Sequence, residues 1–547
     1  MSSSSHPARA LTTDTVRCHR WGILAWVIGG AVAMYAIALG FVSEVSRFAG
    51  GAKAMAASMR AGVEAMRLLR WPAERLDTLG GYLSYHNVTL FVLFLCLYAA
   101  VQGAGAVRGA ETSGQIEEIL AAGRSRALVI RDRAVGFAVT LALVCVGLGG
   151  GLAVAMAAGG EPDVGGSFIT ALGGGLAALV AYGLGVLVSQ LTRSARAAKA
   201  MAAGLLVGLY VLTNVWEELG PAGAIRFVSP FFYFNQSRAL VPGHGLDLGS
   251  SAILLAMAAV LLGAAAWAFQ RRDYAAGLWA RRPRSRRPVR RVQRPALRTV
   301  WGATLLRERV GLLGWAGAGA AALALMAWLE PTVADMWDKF QLTQTMIGRE
   351  PGLTVADQYL SFAGQIVVPI VAAYVITQAA GWVGDLKQGR VELLLASPLS
   401  WPRLVWQRLL AVLLGATAIT AGAIGGLVVG ALAAGAELRW LGLLRLAADT
   451  LLLAGALGAV ALLVVAWLRG AAAVAVLAIL TAASYLLVYL VRLFAWPDWV
   501  VRLSVFGAYG DPYIELPPWS GVAVLTTLAV LGALAAAAVA HRSPKTA

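Results

Sequence analysis

Charged residues are scarce in this sequence. They make up 13% of its 547 residues while apolar residues make up 59%, whereas a soluble globular domain has about one quarter charged residues. Cysteine is scarcer still, and the three that occur, Cys18, Cys96 and Cys145, fall in the N-terminal arm or inside apolar runs. A disulfide framework is therefore excluded, and the composition indicates a membrane protein.

Motifs for catalysis are missing as well. No Gly-x-x-x-x-Gly-Lys-Ser/Thr phosphate loop occurs, and none of the five lysines follows a glycine in that arrangement. The five histidines lie near chain ends or in predicted loops, without metal-ligand spacing, and no Ser/His/Asp set or shielded carboxylate pair is present. We therefore predict no catalytic, cofactor or metal site in this chain, and no ATP hydrolysis by the chain alone.

Long apolar runs fill most of the sequence. A helix needs about 20 mostly apolar residues to cross roughly 30 Å of hydrocarbon, and about twelve runs approach that length, six in each half of the chain. The first run, Trp21–Val42, is too long for a signal peptide and lacks a small-residue cleavage site. The prediction is an all-α membrane protein with about 12 transmembrane helices.

The charge balance indicates how the chain is oriented. Lys and Arg total 45 against 28 Asp and Glu, and the excess falls on segments that face the cytoplasm if the N-terminus does. The positive-inside rule then predicts a multi-pass protein of the cell membrane with both termini cytoplasmic. The net charge of +17 favours contact with anionic membrane lipid. Nucleic-acid binding is not expected, because no soluble domain of useful size could host it.

Two loops are predicted on the outer side, Ser43–His86 and Glu330–Phe362. The first is amphipathic, which predicts a helix lying on the outer membrane interface. The apolar residues at helical spacing in this loop are Met55, Met59, Val63 and Met66.

The two halves of the chain are related by a repeat. The stretch "GQIEEILAAGRS" from Gly114 recurs as "GRVELLLASPLS" from Gly389. "YLS" at Tyr82 recurs at Tyr359, and "RFVSPFFYFN" from Arg226 matches "RLSVFGAYGD" further on. Three matches at a nearly constant offset of 275 to 277 residues indicate a duplication. Both copies start on the same side, so the two six-helix repeats are predicted to be parallel.

This repeat divides the chain into predicted domains. Residues 1–269 form the first six-helix transmembrane half, and residues 299–547 form the second. Residues 270–298 form an arginine- and proline-rich cytoplasmic linker, which we interpret as a solvated segment held near anionic headgroups. A docking strip for a cytoplasmic partner is the alternative. A pseudo-two-fold arrangement of the halves places the expected transport pathway between them.

Each copy of the polar stretch predicts a short amphipathic helix on the cytoplasmic surface. Its apolar residues share one face at i, i+3 and i+4: Ile116, Ile119 and Leu120 in the first copy, and Val391, Leu394 and Leu395 in the second. Ser125 and Ser400 are placed to cap the helix that follows. An interfacial anchor would explain one such helix. Two copies at equivalent places favour a pair of attachment points for a partner that is itself two-fold.

The stretches "ETSGQIEEILAAGRSR" and "DLKQGRVELLLASPLSW" resemble the coupling-helix signature of ABC-2 type exporter permeases. The fused layout, with "RRDYAAGLW" ending the first half, is similar to polyketide-antibiotic exporters of the tetronasin type and to multidrug exporters. The resemblance assigns coupling to Gly114, Glu117, Leu120, Gly389, Glu392 and Leu395. The first copy has Ala122 and Gly123 where the second has the more typical Ser397 and Pro398, which predicts unequal engagement of the partner.

The resemblance also implies a function. It implies that two copies of a cytoplasmic ABC ATPase, which carry ATP and Mg, drive the permease. The permease would move hydrophobic or amphipathic compounds, such as antibiotics, drugs or lipids, out of the cytoplasm or the inner leaflet.

Polar and aromatic residues recur one helical turn apart on the second and fifth spans of each half. The predicted substrate path consists of Tyr98, Gln102, Tyr210, Asn214, Tyr374, Gln378, Tyr485 and Tyr489. An unpaired amide that faces lipid is costly, so these faces should turn toward protein or a cavity. The resemblance places the second and fifth spans along the central cleft. Interhelical contacts, or an aromatic belt at the interface, are the alternative.

Two other functions remain open. A secondary transporter driven by an ion gradient needs an ionisable group inside the membrane. Asp449 is the clearest candidate, with Arg445 one turn earlier as its natural partner, and we interpret that pair as structural. A non-transporting membrane scaffold would leave the paired polar helices unexplained.

Overall fold

The computed structural model describes residues 7–65, 73–112, 114–192, 194–215, 223–273, 298–336, 353–468, 470–493 and 497–542. These residues form helices and the loops between them. Within them, 11 helices are long and apolar enough to cross a membrane, and a shorter apolar stretch, Ala472–Tyr485, lies in a further helix. The predicted all-α membrane fold of about 12 transmembrane helices is confirmed. The chain divides into two compact units, Met1–Arg286 and Arg287–Ala547.

The described part of the first unit contains six long helices that follow the predicted spans, and shorter helices between them. A single π-helical turn, Ser84–Val88, joins α3 to α4. The described helices are α1 (Pro7–Val45), α2 (Gly51–Ala65), α3 (Leu79–Leu83), α4 (Thr89–Thr112), α5 (Gln115–Ala121), α6 (Arg126–Ala158), α7 (Val164–Leu191), α8 (Ala195–Val215), α9 (Pro230–Gln236) and α10 (Leu248–Arg271).

The second unit repeats this order. Its described helices are α11 (Val300–Trp328), α12 (Glu330–Met336), α13 (Val355–Gln365), α14 (Val367–Lys387), α15 (Arg390–Leu395), α16 (Trp401–Ala434), α17 (Trp440–Leu468), α18 (Ala471–Leu493) and α19 (Trp519–Arg542).

Helices at equivalent positions in the two copies of the repeat pack against equivalent neighbours. In the first unit α1 packs along α6, α4 packs along α7, and α10 lies beside α7. In the second unit α11 packs along α16, α14 packs along α17, and α19 lies beside α17. The duplication read from the sequence is therefore present in the packing of each unit.

Small residues let α11 and α16 approach until their backbones touch. Gly422, Gly426 and Gly430 recur every fourth residue on the inner face of α16. A Cβ atom built on Gly426 would lie 2.0 Å from the carbonyl oxygen of Ala320, and one on Gly430 would lie 2.0 Å from that of Ala324. Lipid tails are as apolar as a leucine side chain, so association of helices in a membrane depends on such close packing.

The outer loops are shorter than predicted. The predicted loop Ser43–His86 contains α2, which confirms the amphipathic helix. The loop also contains α3 and ends in the π-helical turn that follows it. Met66 lies outside the described residues. The predicted loop Glu330–Phe362 contains α12 and most of α13. Helix α13 begins with a capping box between Thr354 and Asp357. Such a polar first turn starts a helix before its apolar run begins, so counting apolar residues places the start too late.

In each unit, a serine ties the turn that follows the fifth span back to that span. The predicted topology places these turns on the outer side, and we call them the outer turns. Ser229 Oγ donates to the carbonyl of Leu209 at 3.2 Å and accepts the N–H of Phe231 at 3.3 Å. Ser504 Oγ donates to the carbonyl of Ser484 at 2.6 Å and accepts the N–H two residues further on at 3.1 Å. The two serines are 275 positions apart and make equivalent hydrogen bonds. The outer turns therefore follow the same repeat as the membrane helices.

Candidate coupling helices and substrate path

Both predicted coupling helices are present, as α5 (Gln115–Ala121) and α15 (Arg390–Leu395). Each begins directly after a glycine in the left-handed region, Gly114 with φ 79° and Gly389 with φ 65°. A residue with a Cβ atom rarely adopts this conformation. The glycine thus allows the chain to leave α4 or α14 and turn sharply into the short helix.

Each coupling helix turns its first apolar residue into its own unit and leaves its glutamate exposed. Ile116 and Val391 are buried, Leu120 and Leu395 are half-buried, and Glu117 and Glu392 are exposed. On α15 the exposed face also carries Leu393, whose exposed fraction is 74%. A glutamate beside an uncovered leucine is a surface that a partner protein can bind.

Of the two serines predicted to cap the next helix, only Ser125 does so. Its Oγ accepts the N–H of Leu128 at 3.4 Å. Ser400 makes no side-chain cap hydrogen bond at the start of α16, so that prediction is wrong. Pro402 lies in the first turn of α16, where its fixed φ favours the start of a helix without a side-chain cap.

A buried ion cluster ties three helices together just before the first coupling helix. Glu111, near the end of α4, accepts from Arg108 at 2.8 Å and from Arg272 at the end of α10. Arg272 also donates to Gln190 Oε1 on α7 at 2.7 Å. The side chains of both arginines are 1% exposed and that of Glu111 is 2% exposed. This cluster is closed, because its charged side chains are almost fully buried and paired with one another.

The matching acid in the second unit is held in a different way. Asp385, near the end of α14, lies 3.5 Å from Arg307 on α11, 3.4 Å from Arg390 on α15 and 3.5 Å from Arg408 on α16. A cavity of about 370 Å³ opens beside these side chains. This cluster is therefore open, with one carboxylate shared among three guanidinium groups.

The predicted path residues on the second spans pack against helices of their own unit. The hydroxyl of Tyr98 lies 2.9 Å from His19 Nδ1 on α1. Tyr374 is buried, and a Cβ atom built on Gly415 of α16 would meet its hydroxyl at 1.9 Å. The contacts of both tyrosines are those of interhelical packing.

The glutamines one turn further on differ from each other. Gln102 is half-buried on α4. Gln378 is buried on α14, where its Nε2 donates to Glu308 Oε2 on α11 at 2.5 Å. Gln378 also lines the cavity beside Asp385, so it has access to open space.

The fifth span of each unit carries a tyrosine that packs against a phenylalanine in an equivalent way. Tyr210 packs edge-on against Phe231 with ring centroids 5.2 Å apart, and Tyr485 packs edge-on against Phe506 at 5.4 Å. Both phenylalanines belong to the outer turns held by Ser229 and Ser504. Asn214 is buried one turn above Tyr210. The side chain of Tyr489 lies outside the described residues.

Two family profiles match the sequence. Residues 15–274 match the profile described as ABC-2 family transporter protein. Residues 297–542 match the C-terminal domain of the multidrug efflux system permease Rv1217c. The chain is an ABC-2 type exporter permease. Each match covers one of the two units, so both halves of the permease carry family sequence. A search of curated proteins gives no match to the chain.

Asp449 of this permease does not form the predicted pair with Arg445. Within the part of the chain that the structure describes, no ion pair or hydrogen bond joins the two side chains, and Asp449 Oδ2 is buried without a hydrogen-bond partner. Arg445 stays half-exposed, as expected of a long cationic side chain that reaches for the polar interface.

Sequence reasoning missed Glu111 and Asp385 as site residues. A signal was present, because each acid stands a few residues before the coupling glycine, Gly114 or Gly389, within the stretch that resembles the family. The arginines that hold them come from distant parts of the chain, and no local pattern connects those parts.

Proposed function

We propose that this permease exports hydrophobic or amphipathic compounds from the cytoplasm or the inner leaflet. Two copies of a cytoplasmic ABC ATPase, bound to α5 and α15, would drive it. The observation that carries the proposal is that these two helices are built in the same way. Each follows a left-handed glycine, buries one apolar face and exposes a glutamate. The sequence contains no phosphate loop, so ATP and Mg would bind the partner. Multidrug efflux in the name of the matched permease supports drug-like substrates.

The alternative is a secondary transporter driven by an ion gradient. The observation that favours it is Asp449, a buried carboxyl group inside α17 whose Oδ2 makes no hydrogen bond. Membership of the ABC-2 permeases favours the ATP-driven function. Dissipating the membrane potential and proton gradient while ATP is maintained separates the two, since only the secondary transporter would then stop.

We expect ATP turnover only when the permease is assembled with its ATPase. The purified permease should hydrolyse no ATP above background, because it has no phosphate loop to hold the nucleotide. Co-expression with the ATPase encoded nearest to it should give a complex whose hydrolysis rises when exported compounds are added. Turnover by the permease alone, after removal of contaminating ATPases, would contradict the proposal.

We expect the exposed glutamates of the coupling helices to contribute to partner binding. Glu117→Ala and Glu392→Ala should each weaken ATPase binding about 5- to 100-fold, since a charge-assisted hydrogen bond contributes about 1 to 3 kcal/mol. The effect should be larger for Glu392, because α5 has a second exposed glutamate, Glu118, in its first turn. Gln115→Ala, on the exposed face of α5, is the matched control. If the double variant, Glu117→Ala with Glu392→Ala, keeps wild-type affinity and efflux, α5 and α15 serve only as interfacial anchors.

We expect the polar faces of the second spans to influence which compounds are exported. Gln102→Ala and Gln378→Ala should shift resistance to individual compounds about 2- to 10-fold, the change that corresponds to about 0.4 to 1.4 kcal/mol at one contact. Expression and assembly with the ATPase should persist. Thr377→Ala, an exposed neighbour of Gln378, serves as the control. An unchanged profile across a chemically varied panel would show that these glutamines only pack.

A further inference from the structure

A cavity lies where four helices of the second unit meet at the coupling helix. Its volume is about 370 Å³, and its walls belong to α11, α14, α15 and α16. Its charged residues are Arg307, Glu308, Asp385, Arg390 and Arg408. Three cations therefore face two acids, which leaves the cavity with an excess positive charge.

The arginines of this cavity are poorly satisfied. Each guanidinium carries five N–H donors, yet all three share the one carboxylate of Asp385 at 3.4 to 3.5 Å. Strong charge-assisted contacts are shorter, about 2.7 to 2.9 Å. The second acid, Glu308, lies 3.8 Å from Arg307 and accepts from the amide of Gln378 at 2.5 Å. Among the described residues, most of these guanidinium donors have no hydrogen-bond acceptor and are available for a further anion.

The rest of the wall is apolar. Trp382, Leu394 and Val300 line the cavity, together with Leu393 from the exposed face of α15. A site that combines several guanidinium donors with an apolar wall suits a molecule with an anionic head and an apolar chain. In a membrane protein, the abundant molecule of that kind at the cytoplasmic ends of the spans is an anionic phospholipid.

We propose that this cavity binds the phosphate headgroup of an anionic phospholipid of the inner leaflet. Arg307, Arg390 and Arg408 hold the phosphate, because planar guanidinium forks match its oxygens. Since Arg390 is the first residue of α15, the bound headgroup also contacts the second coupling helix. This proposal does not depend on which compounds the permease exports.

The first unit explains why we expect a single such site. There the cluster of Glu111, Arg108 and Arg272 is closed, with side chains 1% to 2% exposed and a contact of 2.8 Å between Arg108 and Glu111. An anion could enter that cluster only by breaking these buried contacts. The repeat therefore has one closed and one open version of the same acid–arginine arrangement.

The test uses the full purified permease and native mass spectrometry, with phosphatidylglycerol, phosphatidylcholine and inorganic phosphate as probes. We expect phosphatidylglycerol to bind at least about tenfold more tightly than phosphatidylcholine. Replacing both exposed arginines, Arg307→Gln with Arg390→Gln, should weaken its binding about tenfold or more, since several charge-assisted contacts are lost. These side chains are 41% and 54% exposed. The variant should therefore fold, which an unchanged melting temperature in phosphatidylcholine would verify.

Two matched controls separate a site from diffuse attraction. Arg403→Gln removes one positive charge from an exposed position on α16 outside the cavity, and we expect no change in binding. Asp385→Asn should tighten phosphatidylglycerol binding by freeing the arginines. Glu437→Gln, with the same charge change at the other end of α16, should have no effect.

Three results would overturn the proposal. The first is equal binding of both phospholipids, and the second is an Arg403→Gln loss equal to that of the double variant. The third is displacement of the lipid by inorganic phosphate at comparable concentration, which would identify the cavity as a site for a soluble anion.

Discussion

Glu111→Ala is expected to destabilise the permease by about 3 to 5 kcal/mol, the range measured when one partner of a buried ion pair is removed. The substitution would remove the carboxylate that Arg108 and Arg272 share, although the side chain of each arginine is only 1% exposed. Gln190, which also accepts from Arg272, is neutral and cannot replace the lost charge. Melting temperature in detergent, and the fraction of monodisperse protein after purification, measure the effect.

Two further variants define the origin of that effect. Glu118→Ala removes an exposed acid from the neighbouring coupling helix and should change stability by no more than about 0.5 kcal/mol. Replacing the cluster by apolar residues, Glu111→Leu with Arg108→Met and Arg272→Leu, should recover much of the loss, because no buried charge then remains unpaired. If the Glu111→Ala variant has the same melting temperature as the wild type, the cluster does not hold the ends of α4, α7 and α10 together.

The closed and open clusters give the two coupling helices different supports. Before α5, Glu111 is fixed by two buried arginines, whereas before α15, Asp385 is shared loosely beside a cavity. The sequence predicts unequal engagement on other grounds, from Ala122 and Gly123 in the first copy against Ser397 and Pro398 in the second. Both observations favour a permease in which the second coupling helix moves more readily than the first.

Local patterns in the sequence predict the helices of this fold well. Apolar length identifies the membrane spans, and periodicity with a preceding glycine predicts α5 and α15, because a helix face and a left-handed turn are properties of a few adjacent residues. The start of α13 is missed, since its capping box at Thr354 is polar. The predicted cap at Ser400 is not formed, and Pro402 in the first turn favours the start of α16 instead.

The candidate site depends on contacts that no local pattern contains. The cluster at Glu111 joins residues from α4, α7 and α10, and the cavity at Asp385 joins four helices. Periodicity predicts that Tyr98 and Tyr374 lie on polar faces, but not which neighbour each face meets. The structure supplies the neighbours, His19 and Gly415, and the substrate path stays a prediction for the resistance profiles to test.

The largest effect in the second unit is expected from Gly426→Leu. A Cβ atom at this position would lie 2.0 Å from the carbonyl oxygen of Ala320, where ordinary contact is 3.4 to 4 Å. Even alanine would force α11 and α16 apart by more than 1 Å, and leucine adds three further carbons. We expect a loss of about 3 kcal/mol or more, above the usual range for overpacking because the obstacle is backbone.

The adjacent residue provides the control. Gly425→Leu introduces the same side chain into the same helix, but a Cβ atom there meets nothing within 4 Å. Its side chain would point away from α11, toward lipid that is as apolar as leucine itself. We therefore expect Gly425→Leu to keep the melting temperature and efflux of the wild type, while Gly426→Leu yields little folded protein. Equal behaviour of the two variants would contradict backbone contact between α11 and α16, because any general effect of leucine on α16 would act on both.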